Sequence, residues 1–128
     1  TRQEQKPTVN TFVHEEMEHA MRYFQEHYNE NIVIEEYAQT RGMSVSWFLR
    51  NFKQMTMKSP MQYILAIRIN NAVSLLETTH YNVTENSTIV GYENPLYFSR
   101  IFKKQKGVSP SEYRKMLQGE AIASNPNE

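Results

Sequence analysis

The stretch that decides the fold is the second copy of an internal repeat, residues 90–114, which reads VGYENPLYFSRIFKKQKGVSPSEYR. Residues 97–103 (YFSRIFK) match residues 47–53 (WFLRNFK), 50 positions earlier. A second pair keeps the same offset, since SPSEY at 109–113 matches SPMQY at 59–63. Because both pairs share one register, the sequence indicates a small structural unit that is used twice.

The pattern around both copies predicts helices. Apolar residues recur at three- and four-residue spacing, which is typical of amphipathic helices. Turns are predicted at Gly42 and Gly91, where glycine adopts positive φ without steric cost, and helix caps at Ser44, Ser59 and Asn94. We therefore predict an all-α chain of about seven helices, at residues 10–28, 32–40, from 44, 60–78, 83–90, from 94, and 109–117.

Composition excludes several classes of protein. The chain has 128 residues, of which 39% are hydrophobic, enough for one domain or two small ones with a compact core. It contains no apolar run long enough for a membrane span, and its lack of cysteine excludes disulfides, thiol catalysis and thiolate metal sites. Because it lacks cysteine and a signal-peptide pattern, we expect a cytoplasmic, bacterial protein, and because it begins at Thr1 we expect a fragment of a longer chain.

The charges are unevenly placed in a chain that is neutral overall. Residues 1–37 hold eight Glu against three basic residues, whereas residues 38–115 hold eleven Lys and Arg against four Glu. The repeated region is therefore basic, and the segment before it is acidic. Overall neutrality does not argue against a nucleic-acid partner for the repeated region.

The helix after Gly42 is predicted to have an apolar face and a basic face. Phe48 and Phe52 belong to the core, as do Phe98 and Phe102 in the second copy. The opposite face carries Ser46, Leu49, Arg50 and Lys53. Two short helices joined by a glycine turn, with such a face on the second, form the helix-turn-helix pattern, whose second helix fits a DNA major groove about 12 Å wide.

The helix at 60–78 lies between the two copies. At about 1.5 Å per residue it spans roughly 27–30 Å, close to the roughly 34 Å between successive turns of the DNA major groove. The sequence therefore predicts that one chain reaches two adjacent major grooves.

From about Ile34 to Arg114 the chain resembles the DNA-binding domain of AraC/XylS-type bacterial transcription regulators. Residues 90–104 and 107–114 carry most of the likeness, and residues 43–53 with Tyr63 and Arg68 carry it in the first copy. The family has two helix-turn-helix units joined by a long helix. The resemblance therefore implies sequence-specific binding of double-stranded DNA.

Roles follow for the exposed residues of both copies. The resemblance implies that Ser46, Leu49 and Arg50 face bases in one groove and that Leu96, Ser99 and Arg100 face bases in the next, in agreement with the helical spacing. It also implies that Trp47 and Tyr97 lie at the sugar-phosphate backbone, although packing is an equally good explanation for Trp47. Helix starts and lysines predict further backbone contacts at Ser44, Lys53, Lys58, Asn94, Lys103 and Lys104. Arg68 is expected to brace the long helix.

The chain departs from the family pattern at three positions. Asn86 and Ser87 stand where the family usually has an apolar residue followed by Ala, and both are expected near the core. Polar groups there need partners or cost about 1–3 kcal/mol each. Met57 stands where glycine commonly ends the recognition helix, which predicts a different exit from that helix.

Other functions have less support. The alternative is a helical protein-interaction module that has lost DNA binding, which net neutrality and the Asn86–Ser87 pair favour. His14 and Glu18 have a metal-compatible spacing, but the pattern is not that of a zinc protease, so we expect no metal site. The chain has no Asp, phosphate-binding loop or nucleophile elbow, and we expect neither an enzyme nor a cofactor.

The sequence also predicts an organisation and a set of partners. The expected segments are a tail or interdomain linker at 1–9, a first helix-turn-helix subdomain at 10–58, a linker helix at 59–78, a second subdomain at 79–118 and a tail at 119–128. The expected partners are double-stranded DNA and an N-terminal regulatory domain outside this sequence, with RNA polymerase as a further candidate and no membrane. The isolated domain is expected to be monomeric.

Overall fold

The structure is a computed structural model that describes residues 9–119. Within that range the chain folds into seven helices and no strands: α1 (Val9–His27), α2 (Ile34–Thr40), α3 (Val45–Thr56), α4 (Pro60–Thr78), α5 (Val83–Ile89), α6 (Pro95–Lys106) and α7 (Pro110–Leu117). The prediction of an all-α chain with seven helices is confirmed. The predicted tails lie outside the described residues, except that α1 already begins at Val9 and that Gly119 is described.

Side-chain caps set the starts of α3 and α6. The hydroxyl of Ser44 accepts a hydrogen bond from the backbone N–H of Trp47 at 3.2 Å. Asn94 accepts from the N–H groups of Leu96 and Tyr97, at 2.9 and 3.2 Å. These bonds satisfy donors that the first helical turn leaves without an intrahelical partner.

The chain divides into two compact units between Leu65 and Ala66, inside α4. In the first unit, α1 and α2 pack against α3. The core of this unit is largely aromatic, because the ring of Phe24 lies 5.4 Å from that of Tyr37 and 5.7 Å from that of Phe52. Phe48 and Phe52 are fully buried, as the sequence predicted.

In the second unit, α5 and α7 pack against α6. Phe98 and Phe102 are fully buried, and their ring centroids lie 5.9 Å apart, compared with 5.5 Å for Phe48 and Phe52. The edge-on contact of Phe102 with Tyr113, at 5.8 Å, repeats the contact of Phe52 with Tyr63, at 5.3 Å. The sequence repeat is therefore a repeat of ring packing.

The polar pair on α5 lies in the core of the second unit. Asn86 and Ser87 are both fully buried, as expected. The Ser87 hydroxyl donates to the carbonyl oxygen of Tyr92 at 3.1 Å, and the Asn86 amide donates to that of Ala72 at 3.2 Å. Of the side-chain polar atoms of these two residues, only the Oδ1 of Asn86 has no hydrogen-bond partner among the described residues.

The end of α3 corrects one prediction. Met57 adopts a left-handed conformation, with φ of 64°, and its N–H bonds to the carbonyl of Lys53. Gly107 ends α6 in the same way, with φ of 85° and a bond to Lys103. The predicted difference in the exit from α3 is therefore wrong, because methionine takes the glycine conformation here.

Arg68 lies on α4 and contacts the second unit's core from its edge. Its guanidinium stacks over the ring of Tyr92, 4.9 Å from the centroid, which fits the expected bracing role. Burial raises the pKa of the Tyr92 phenol, and the charge of Arg68 opposes that shift. No helix in residues 9–119 combines the length and the apolar character that crossing a membrane requires.

Candidate nucleic-acid interface

The exposed side of α3 carries the residues predicted to face DNA. Ser46, Leu49, Arg50 and Lys53 are all exposed, and they line one open depression of about 750 Å³. Two further exposed residues, Gln54 and Met57, line the same depression. We call these six residues the α3 face.

The exposed side of α6 carries the corresponding residues of the second copy: Leu96, Arg100, Lys103 and Lys104 are exposed, and Ser99 is half-buried. Leu96 is the most prominent apolar side chain there, with 75% of its surface exposed. Ser99 therefore has less surface available to a ligand than its counterpart Leu49. We call these five residues the α6 face.

Both faces are positively charged. Neither α3 nor α6 contains an acidic residue, and within residues 9–119 neither Arg50 nor Arg100 forms an ion pair with a carboxylate. By contrast, Arg41 is held by Glu16 through two bonds of 3.0 and 3.1 Å. The two unpaired guanidinium groups keep the donor fork that suits guanine O6 and N7.

The helix starts offer less to a phosphate than the sequence predicted. A phosphate at a helix N-terminus is bound by free backbone N–H groups. Here the caps already occupy the N–H groups of Trp47, Leu96 and Tyr97. The predicted backbone contacts at Ser44 and Asn94 would therefore depend on their side chains and on the remaining N–H groups.

An aromatic pair lies at the start of each exposed face. The ring of Trp47 is half-buried and lies 6.2 Å from that of Phe12 on α1, so this tryptophan both packs and remains partly accessible. Tyr97 is exposed and lies 5.9 Å from Tyr92. Packing on one side and exposure on the other suits an amphipathic residue at a backbone contact.

Sequence reasoning missed three residues near the α3 face. Gln54 lies one turn after Arg50 and Met57 one turn after Lys53, so helical spacing alone could have found both. Phe12 could not have been found in that way, because its contact with Trp47 joins residues far apart in the sequence. Lys58 lies just beyond α3 and is exposed, but it does not line the depression.

The sequence of this chain is similar to those of known proteins. A family profile described as a helix-turn-helix domain matches residues 37–116. The MmsAB operon regulatory protein of Pseudomonas aeruginosa is 35% identical over 102 residues, which cover 79% of this chain and 33% of that protein. The chain thus spans about a third of the length of this curated relative.

Two solved structures have the same fold. The C-terminal domain of AraT, a response regulator from Geobacillus stearothermophilus, is 27% identical and matches with a TM-score of 0.76, covering 97% of this chain and 95% of that one. The DNA-binding domain of AdpA, a global transcriptional factor solved with a target DNA, is 30% identical with a TM-score of 0.76, covering 80% and 93%. With the family profile matching well over half of its length, the chain belongs to the helix-turn-helix family of AraC/XylS-type transcription regulators.

Proposed function

We propose that this chain binds double-stranded DNA sequence-specifically, as the DNA-binding domain of a bacterial transcription regulator. One observation carries the proposal. Each unit presents an exposed helix face without an acidic residue, on the helix that corresponds to the second helix of a helix-turn-helix. The arginine of each face forms no ion pair with a carboxylate in residues 9–119. The similarity to a domain solved with its target DNA supports it.

In the proposed mechanism, α3 and α6 enter adjacent major grooves. Lysines and helix starts at the groove rim set the register through phosphates, and Arg50 and Arg100 contact base edges. Affinity then comes mainly from counterion release and specificity from the two exposed faces. In this proposal the helix-turn-helix subdomains at 10–58 and 79–118 each bind DNA, and the helix at 59–78 links them.

We further propose that this chain is part of a longer protein. Since the chain spans about a third of the relative named above, we propose that an N-terminal regulatory domain precedes it and that the whole protein acts on DNA in the cytoplasm, with RNA polymerase as a candidate partner. The proposal includes an isolated domain that is monomeric and is not an enzyme, in line with the operon regulators among its relatives.

A salt series tests DNA binding against the protein-interaction alternative. Fluorescence anisotropy is measured with duplexes selected by this chain from a random pool, at 50–200 mM salt. With about six phosphate contacts, affinity should fall about a thousandfold over that range. Lys103→Glu should weaken binding to all duplexes, whereas Arg22→Glu, an exposed change on α1, should not.

Flat or absent binding at low salt would instead favour the protein-interaction module. The structure weakens one argument for that alternative. Of the side-chain polar atoms of Asn86 and Ser87, the pair that favoured this alternative, only the Oδ1 of Asn86 has no hydrogen-bond partner among the described residues.

A further inference from the structure

Met57 combines two features that rarely occur together. Its backbone is the only non-glycine position with positive φ among the described residues. Its side chain is 80% exposed, the highest value among the exposed large apolar side chains. A left-handed backbone is unfavourable for a side chain with a Cβ, and an exposed methionine gains nothing from burial within this chain.

The second copy shows the arrangement without these features. Position 107, the counterpart of position 57, is glycine with φ of 85°, and position 104, the counterpart of Gln54, is lysine. A Cβ added at Gly107 would meet no atom within 4 Å, so space does not require glycine there. The two copies therefore differ in chemistry at these two positions. The first copy has the amide of Gln54 and the thioether of Met57, whereas the second copy has the ammonium group of Lys104 and a glycine.

Met57 also belongs to a defined surface. It lines the same depression as Leu49, and the other four lining residues are Ser46, Arg50, Lys53 and Gln54. Four of these six are predicted DNA contacts, so the apolar part is continuous with the proposed interface. A surface with apolar side chains beside two cations fits the DNA major groove, where thymine C5-methyl groups lie next to hydrogen-bonding base edges and phosphates.

We propose that Met57, together with Leu49, contacts a thymine methyl group and makes the first unit selective for thymine at one position of its half-site. The inference rests on the proposed DNA binding and adds a specificity residue to it. In the second unit, Lys104 and Gly107 leave the matching position of the other half-site without such a contact. The expected consequence is a thymine requirement at this position of the first half-site and none at the matching position of the second.

The experiment removes the methyl group from the DNA and the side chain from the protein. Each thymine of a selected duplex is replaced in turn by deoxyuridine, which lacks only the C5-methyl group. The half-site of the first unit is the one whose base preference changes in Arg50→Ala. Wild type should lose about fourfold in affinity at one thymine there, the effect of one methyl-sized apolar contact.

Met57→Gly is the matched variant, because it installs the residue of the second copy in the same backbone conformation. It should melt at the wild-type temperature or above it, bind the thymine duplex several-fold more weakly, and show a smaller further loss with deoxyuridine at that position than wild type, because Leu49 remains. Met61→Ala, which removes an exposed methionine outside the depression, should keep the full deoxyuridine penalty.

Several results would overturn the proposal. Met57→Gly with wild-type affinity would assign the apolar surface to another partner, such as a protein. A weaker Met57→Gly that retains the full deoxyuridine penalty of wild type would place Met57 at the sugar-phosphate backbone. If no thymine shows a penalty while the salt series still shows DNA binding, the methyl contact fails and the proposed function stands.

Discussion

At the residue scale, Asn86 and Ser87 are two adjacent buried polar residues that differ in how fully their side chains are hydrogen-bonded. Both are fully buried on α5, and helical spacing was sufficient to predict that. Whether each is satisfied depends on partners that the spacing does not reveal, since the Asn86 amide reaches Ala72 on another helix. The Ser87 hydroxyl has its partner in Tyr92, and the unpaired Oδ1 of Asn86 carries the desolvation cost.

We expect Asn86→Leu to raise the free energy of unfolding by about 1 kcal/mol. A buried acceptor without a partner costs roughly 1–3 kcal/mol, and leucine removes that cost. The lost bond to the Ala72 carbonyl and the tighter packing of leucine offset part of the gain. Ser87→Ala should lower the free energy of unfolding by about 1 kcal/mol, because it removes the partner of the Tyr92 carbonyl. Urea unfolding followed by circular dichroism measures both.

A destabilised Asn86→Leu with a neutral Ser87→Ala would contradict this assignment. It would mean that the Asn86 amide is fully satisfied, for example by water, and that the hydroxyl bond contributes nothing. The comparison needs both variants, since either one alone reports a mixture of packing and hydrogen bonding.

At the element scale, the helix starts were predictable and one helix end was not. Ser44, Asn94 and the proline-led starts of α4 and α6 follow from local chemistry, because a cap bonds to residues two or three positions away. Met57 misled because glycine is the usual residue at a left-handed helix end. At position 57 the backbone has the same left-handed conformation as at Gly107, but the side chain of Met57 has no counterpart in the second copy.

The end of α4 depends on a residue from another helix. Its last turn contains no basic residue, and Arg114 of α7 supplies the missing charge. The Arg114 guanidinium donates to the carbonyls of Leu76 and Thr79, at 3.4 and 3.2 Å, and to that of Tyr81. The repeat gives no hint of this role, because the counterpart of Arg114 is Ile64, a buried apolar residue.

We expect Arg114→Lys to lower the free energy of unfolding by about 1–2 kcal/mol. Lysine keeps the charge but lacks the planar fork that spans three carbonyls, and charged hydrogen bonds contribute roughly 1.5–3 kcal/mol when not exposed to solvent. Lys115→Ala, one residue further on an exposed side of α7, is the control and should stay near wild type. Thermal melts measure both variants. If Arg114→Lys melts at the same temperature as Lys115→Ala, a positive charge near the end of α4 is enough to stabilise it.

At the scale of the whole molecule, the repeat specifies two similar cores and two different surfaces. The ring pairs of the cores were predictable from the sequence, because buried aromatic residues recur at one helical spacing in both copies. The exposed faces were predictable in position, but their chemistry differs at four of the six positions of the α3 face. Ser46 and Leu49 correspond to Leu96 and Ser99, and only Arg50 and Lys53 recur unchanged as Arg100 and Lys103.

The shared arginines allow the two surfaces to be assigned to DNA separately. If each unit contacts its own half-site, Arg50→Ala and Arg100→Ala should each weaken specific binding by about 1–3 kcal/mol and relax base preference at different positions. Their effects should add in the double variant, because the two arginines share no partner in the described residues. Binding to a panel of duplexes with single base-pair changes provides the measurement.

Arg22→Ala on α1 serves as the control and should leave both affinity and base preference unchanged, since that arginine is exposed outside the α3 face. All three variants should melt close to wild type, because none of these side chains is buried. Loss of preference at the same base pairs in Arg50→Ala and Arg100→Ala would mean that the two units do not contact separate half-sites. Wild-type binding by both variants would exclude the α3 and α6 faces as the DNA-contacting surfaces, whatever partner the domain has.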